Sequence, residues 1–203
     1  MSSPSRPSAK DTGWSFSDEW QRFGYLIGLG TTAYYMYVAV FGTFSPPLDR
    51  SLFIFSGVAI TICQYPLARN TAARLVDSML LLAVAAATIR FNQNYMTFAE
   101  NEGFPIGDFD MAMGWIMIVA VIEAGRRVLG MSMAVISIAF LLFLYLGNHV
   151  PWPLTHGGFN LRLISTALYA QTDGIYGSIT SVLASTLFLI PRVRHLLDPQ
   201  RSL

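Results

Sequence analysis

Ionisable side chains that interrupt apolar stretches are the residues of this sequence best suited to chemistry. Asp77 and Glu123 each stand in such a stretch, where an acid can relay protons or hold an ion pair. Arg74 lies three residues before Asp77, and Arg126 and Arg127 lie three and four residues after Glu123, so each acid has basic neighbours on its own helix face. We therefore predict that Asp77, Glu123, Arg126 and Arg127 have structural roles in ion pairs. A proton relay at Glu123 is the alternative.

A second group of acids lies between residues 91 and 110, a segment without any basic residue: Glu100, Glu102, Asp108 and Asp110. Asp108 and Asp110 come directly before an apolar run, where a carboxylate can accept hydrogen bonds from the free amides of a helix start. We predict that these two residues cap a helix. A site for a cation or for a basic partner is the alternative.

Residues that could support metal binding or catalysis do not form a recognisable set. His149 and His156 flank a Pro-Trp-Pro turn, but no further His or Cys lies close in sequence to complete a zinc site. The single cysteine, Cys63, lies in an apolar run, which favours an inert buried thiol. The sequence also lacks a phosphate-binding loop, a nucleophile elbow, a metalloprotease motif and a dinucleotide fingerprint. We predict no catalytic residue, no metal, no cofactor and no enzymatic activity.

The composition indicates which kind of fold must position these side chains. Hydrophobic residues make up 53% of the 203 residues and charged residues only 12%, and the mean hydropathy is +0.47. Soluble domains carry about 25% charged residues. The net charge of +1 and the lack of a basic tract exclude a nucleic-acid-binding protein. The composition predicts an all-α integral membrane protein.

Stretches without charges, or with one tolerated acid, predict about six transmembrane helices inside a membrane domain of residues 23–190. They cover residues 23–44, 51–68, 75–90, 111–126, 128–148 and 174–190. The third and fourth are short of the roughly 20 residues that a span needs, so a four-span protein is the alternative. Gly24 and Gly28 have the spacing of a helix-packing face in the first stretch, with a dimer face as the alternative.

The connecting segments predict the orientation of these helices. If the N-terminus is cytoplasmic, all but three of the 13 basic residues fall on the cytoplasmic side, and the three exceptions are Arg50, Arg90 and Arg162. Residues 1–22 then form a cytoplasmic tail and residues 191–203 a basic one, so both termini are cytoplasmic.

The segment of residues 159–173 predicts one amphipathic helix at the outer membrane interface. Asn160 is placed to cap it, and Gly174 is placed to end it. Leu161, Ile164 and Leu168 share its apolar face, with Tyr169 at the margin, while Thr166 is expected on another face. Such a helix would link the fifth and sixth spans.

Three blocks carry a resemblance to a known family. They are Glu-Ala-Gly-Arg-Arg-Val-Leu-Gly at 123–130, His-Gly-Gly-Phe-Asn-Leu-Arg-Leu-Ile-Ser at 156–165 and Thr-Asp-Gly-Ile-Tyr-Gly at 172–177. In order and spacing they resemble the fused permeases of tripartite ATP-independent periplasmic (TRAP) transporters, of the type served by TAXI binding proteins. The similarity runs from about Arg74 to Ile190, and residues 1–73 agree only in being a two-span membrane region.

The resemblance implies a function in transport. The chain would be the small-subunit-like, scaffolding part of a secondary transporter in the bacterial cytoplasmic membrane, which imports organic acids or similar small solutes with a sodium gradient. Its partners would be a large TRAP permease subunit or domain, an extracytoplasmic TAXI-type solute-binding protein and the lipid bilayer. The chain leaves the family pattern after Ile190, where the large transport domain would follow, so no solute or sodium ligand is assigned. A non-transporting structural membrane protein, or the remnant of a truncated permease, is the alternative.

Overall fold

Helices make up all of the regular secondary structure in the part of the chain that the structure describes. The computed structural model describes residues 16–42, 45–68, 70–101, 106–149, 151, 153–171, 174–184 and 186. The helices are α1 (Phe16–Phe41), α2 (Pro46–Gln64), α3 (Thr71–Glu100), α4 (Asp108–Leu129), α5 (Met131–Tyr145), α6 (Leu161–Ser165) and α7 (178–184). A 3-10 turn, Gly147–His149, follows α5, and a π turn, Thr166–Ala170, extends α6. The predicted all-α class is confirmed for these residues. Residues 1–15 and the basic tail 191–203 lie outside them.

Consecutive helices pack against one another from α1 to α5, and α2 also contacts α4. The hydrophobic core lies among α2, α3, α4 and the π turn after α6. It is formed by Val58, Ile62, Val84, Ala87, Phe91, Phe98, Ile106, Met117, Ala120, Tyr169 and Tyr176. Helices α1 and α5 contribute no buried residue to this core. They cover its flanks and leave long apolar faces exposed.

Helix α3 continues ten residues beyond the predicted span of residues 75–90. Polar side chains in this extension bond back to the helix: the Asn92 and Asn94 amides donate to the carbonyls of Thr88 and Arg90 at 3.0 and 3.1 Å. A helix satisfies its own backbone and can therefore leave an apolar region without ending. The charge at Arg90 therefore does not mark the end of the helix.

The predicted amphipathic segment of residues 159–173 is helical over a shorter range. Asn160 caps it as predicted, because its side chain accepts a hydrogen bond from the Leu163 amide at 2.7 Å. The π turn then adds a residue to the turn and rotates the side chains that follow. Thr166 is buried and Leu161 is half exposed, so the two lie on different faces, and an apolar face turned toward the membrane stays a prediction. Residues 172 and 173 are outside the described ranges.

One helix in the described part of the chain, α3, is long and apolar enough to cross a membrane, judged by its length and composition alone. Helix α5 is apolar throughout but has only 15 residues. The six predicted spans therefore stay a prediction.

Candidate functional site

The four predicted residues Asp77, Glu123, Arg126 and Arg127 lie together in one ionic network, which we call the Asp77 cluster. Arg127 joins the two acids: its Nη2 donates to Asp77 Oδ1 at 2.6 Å and its Nε to Glu123 Oε1 at 2.8 Å. Arg126 binds Glu123 through Nε and Nη2, both at 2.7 Å. The Asp77 side chain has no exposed surface, and the Arg127 side chain is 4% exposed. The cluster is therefore partly embedded in the protein.

Three elements hold the Asp77 cluster in place. Helix α3 begins after Asn70, whose side chain accepts a hydrogen bond from the Ala73 amide, and carries Asp77 in its second turn. Helix α4 supplies Glu123 and both arginines from its last two turns. The segment after α2 adds two backbone contacts: the Leu67 amide donates to Asp77 Oδ2 at 3.1 Å, and Arg127 Nη1 donates to the Tyr65 carbonyl at 3.0 Å.

The ion pair between Asp77 on α3 and Arg127 on α4 was not predicted from the sequence. The predicted contacts of Glu123 with Arg126 and Arg127 are present, because residues three and four apart share a helix face. For Asp77 the sequence offered Arg74 from the same helix, whereas the ion pair runs to Arg127 on α4. No local signal connects residues that lie fifty positions apart.

The geometry of the Asp77 cluster suits a structural role in which fixed ion pairs hold α3 against α4. Its two acids and two arginines balance in formal charge, and each of the four carboxylate oxygens accepts at least one hydrogen bond. Buried charges are tolerated when they are paired and fully hydrogen-bonded in this way. A proton relay at Glu123 would first have to break three hydrogen bonds to Arg126 and Arg127.

A second charge group joins α3, α4 and α6 on the far side of the apolar segments of α3 and α4. Arg90 on α3 binds Asp110 on α4 at 2.7 Å, and its guanidinium lies 5.4 Å from the centre of the Phe109 ring. Arg162 on α6 binds Asp108. Two of the three basic residues expected on the outer side therefore pair with the acids expected there.

The prediction that Asp108 and Asp110 cap α4 is wrong. Gly107 is the cap residue, and it offers no side-chain hydrogen bond. The two aspartates are the first and third residues of the helix itself, and their carboxylates bind arginines from other helices instead. Charge attraction to the helix start does not require capping geometry, since the dipole acts over the whole first turn.

Aromatic side chains close the core between α3 and the chain after α6. The rings of Phe91 and Tyr176 stack with centroids 4.1 Å apart, and the Tyr176 hydroxyl lies 3.2 Å from Thr88 Oγ1. The Tyr169 hydroxyl donates to the Ala87 carbonyl at 2.6 Å. Burial raises the pKa of the Tyr169 phenol, so this donor keeps its proton. The predicted apolar face included Tyr169 only at its margin, and no local pattern marks Tyr176 as a core residue, although it lies in the third block of the resemblance.

Both ring nitrogens of His156 form hydrogen bonds with backbone groups, which indicates a structural role. The Gly158 amide donates to its Nδ1 at 3.2 Å, so its Nε2–H is the donor to the Phe143 carbonyl at 3.1 Å. Gly147 lies directly against the imidazole ring. Within the described ranges there is no group of three His, Cys, Asp or Glu side chains that could hold a metal ion. The Cys63 thiol is buried, and a Cβ on Gly24 would lie 2.7 Å from the Cys63 Cβ.

Comparison of the chain with protein-family models, with curated proteins and with solved structures finds no match.

Proposed function

We propose that the chain is a multi-pass protein of the bacterial cytoplasmic membrane with both termini in the cytoplasm. In this proposal it is the small, scaffolding membrane part of a TRAP-type secondary transporter, which takes up organic acids or similar small solutes. Uptake would be driven by sodium and supplied by an extracytoplasmic TAXI-type binding protein. The chain would brace the large permease subunit or domain that moves the solute, with α6 lying at the outer membrane interface.

The exposed surface of α5 is the observation that carries the membrane location. Only Ala134 is buried in this helix. The large apolar side chains exposed on it are Met131, Met133, Val135, Ile136, Ile138, Phe140, Leu142 and Tyr145. They leave no polar face, whereas a helix at the surface of a soluble protein has one. Hydrocarbon or another apolar helix is the environment that such a surface requires.

The distribution of charge supports the same location. The Asp77 cluster and the second charge group lie about 20 Å apart along α3, at a rise of 1.5 Å per residue. No charged residue lies between them on α3 or on α4. The apolar band is about 10 Å shorter than a bilayer core of about 30 Å, so we infer that the neutral charge pairs lie just inside its edges.

The pattern of contacts supports a scaffold rather than a moving part. Ion pairs fix α3 to α4 in both charge layers. Each block of the resemblance also supplies tertiary contacts: residues 123–130 supply most of the Asp77 cluster, residues 156–165 supply His156 and Ser165, and residues 172–177 supply Tyr176. These contacts are what a rigid support for a larger domain needs.

The test is co-purification after mild detergent extraction, followed by solute uptake in a deletion strain. A tagged chain is expected to retain a large TRAP permease subunit, identified by mass spectrometry, whereas an unrelated tagged membrane protein of similar size retains none. Deletion is expected to abolish uptake of the organic acid supplied by the TAXI-type binding protein. If no permease co-purifies and uptake is unchanged, the transporter proposal is refuted. The chain would then be a non-transporting structural membrane protein.

A further inference from the structure

A cleft of about 750 Å³ lies beside the Asp77 cluster. Three arginines line it, Arg74, Arg126 and Arg127, and neither acid of the cluster is among its lining residues. The Arg126 side chain is 31% exposed despite its bonds to Glu123. Asp77 and Glu123 balance Arg126 and Arg127 in formal charge and do not line the cleft, so the three lining arginines give it a positive surface.

The cleft also contains an unused hydrogen-bond donor. Trp20 lines it from α1, and the Trp20 Nε1–H is buried without a hydrogen-bond partner among the residues that the structure describes. An indole N–H can only donate. Guanidinium groups and an N–H donor around one space suit an anion with several acceptor oxygens, of which a phosphate is the common biological example.

An apolar groove of about 730 Å³ adjoins the cleft. Gly24, Gly28 and Thr32 line it from one face of α1, and Ile60 lines it from α2. Gln64 lines both the groove and the cleft, so the two spaces meet there. The three small residues of α1 span about 12 Å along the helix axis. Leu26 and Leu29 add apolar surface to the groove, and Gly24 is packed against Cys63 of α2, so an apolar chain would lie beside Gly28 and Thr32.

We propose that the cleft and the groove together bind one phospholipid with an anionic headgroup. The phosphate lies in the cleft against Arg74 and Arg126, and an acyl chain lies along the groove of α1. Basic pockets between membrane helices on the cytoplasmic side bind such headgroups. The inference rests on the proposed membrane location. Free inorganic phosphate shares the headgroup chemistry but has no part that would occupy the groove.

The experiment is native mass spectrometry of the full chain in mild detergent, titrated separately with phosphatidylglycerol, phosphatidylcholine and inorganic phosphate. Phosphatidylglycerol is expected to bind more tightly than either of the others. R74Q is expected to weaken phosphatidylglycerol binding about fivefold, since one basic residue near an anionic headgroup contributes about this much. R74K, which keeps the charge, is expected to restore most of the binding. The matched control R162Q removes an arginine of the second charge group and is expected to leave binding unchanged.

A groove variant tests the acyl-chain half of the proposal. G28L is expected to weaken phosphatidylglycerol binding, because the leucine side chain would occupy the groove. Circular dichroism must show wild-type helicity for every variant that is compared. Equal binding of the two lipids, or equal effects of R74Q and R162Q, would overturn the proposal. Phosphate binding as tight as that of phosphatidylglycerol would reduce the site to a simple anion site and would also overturn it.

The failure of this inference can be distinguished from the failure of the proposed function. Alkaline carbonate extraction of cell membranes reports on the membrane location alone. If the chain stays in the membrane but shows no lipid preference, only the phospholipid site is refuted. If carbonate releases the chain, the membrane location is refuted as well.

Discussion

Asp77 is the residue whose environment depends most on a distant partner. Its side chain has no exposed surface, and the Arg127 guanidinium at 2.6 Å compensates its charge. Arg127 is buried almost as deeply and also binds Glu123 and the Tyr65 carbonyl. A charge that loses its partner in such a place cannot be solvated instead. The stability of the bundle should therefore respond to Asp77 far more strongly than to an exposed acid.

D77N is expected to lower the free energy of unfolding by about 3 kcal/mol, because Arg127 loses one of its two carboxylates while staying buried. The measurement is thermal unfolding of the purified chain in detergent. D108N is the matched control, since Asp108 also pairs with an arginine but its side chain is 81% exposed. Little change is expected there, as for most exposed ion pairs. Equal losses in D77N and D108N would show that burial of the Asp77 cluster does not determine its contribution.

Helices α4 and α6 approach each other closely at a glycine. A Cβ on Gly114 would overlap Ser165 Oγ and would lie 3.0 Å from the Tyr169 Cβ. Ser165 also donates to the Met111 carbonyl at 3.0 Å, so the contact joins one turn of α4 directly to α6. Because the π turn that extends α6 carries Tyr169 into the core, this contact determines how deeply that tyrosine is buried.

G114A is expected to destabilise the bundle by about 2 kcal/mol, because the added methyl group forces α6 away from α4. G125A on the same helix is the control, since a Cβ there meets no atom within 4 Å. Its expected effect is neutral or a stabilisation of up to about 1 kcal/mol from helix propensity. Thermal unfolding of the two variants in detergent measures the difference. If G114A is as stable as G125A, the close approach of α4 and α6 does not exist in the protein.

The His156 ring helps to hold the chain after α5 against that helix, together with the backbone hydrogen bond from the Phe159 amide to the Leu144 carbonyl. H156A removes its two backbone hydrogen bonds, so we expect a loss of about 2 kcal/mol in the free energy of unfolding. It should also produce faster proteolysis between α5 and α6. H149A is the matched control because His149 is exposed. If the two variants behave alike, or if added zinc stabilises the wild type and neither variant, the structural role is refuted in favour of a shared metal site.

Local sequence patterns predicted that the chain forms helices, but they could not predict which charged residues pair between different helices. Asn160 was recognised as a cap because its partner amide lies three residues away. The pairs of Asp77 with Arg127 and of Arg90 with Asp110 join different helices, and many register choices are compatible with the same sequence. The π turn at Thr166–Ala170 also left no signal, since one extra residue in a turn changes the face without changing the composition. The four residues of the Asp77 cluster were thus predicted, but the ion pair that joins Asp77 to Arg127 was not.

Across the whole molecule, the inner helices are joined by core packing and ion pairs, and the outer helices expose apolar side chains. The core and both charge layers belong to α2, α3, α4 and α6, whereas α1 and α5 present apolar side chains outward. In water such flanks would favour aggregation, but in a bilayer they face hydrocarbon or a neighbouring subunit. The same arrangement predicts an orientation, because the Asp77 cluster and the second charge group lie on opposite sides of the apolar band.

Labelling with cysteine tests this orientation on α3, the described helix that is long and apolar enough to cross a membrane. Cys63 is the single cysteine, so C63A provides a cysteine-free background. Ala72 and Ala99 are both exposed, and they lie about 40 Å apart along the helix, close to the full thickness of a bilayer with its headgroups.

In intact cells whose outer membrane has been made permeable, a membrane-impermeant maleimide is expected to label A99C and not A72C. After disruption of the inner membrane it is expected to label both, and this second labelling is the control for accessibility. The reason is the distribution of basic residues, which would place the Asp77 cluster and the start of α3 on the cytoplasmic side of the membrane. Labelling of A72C alone would reverse the orientation. Labelling of both in intact cells would mean that α3 does not cross the membrane, and the scaffold would then have to act outside the bilayer.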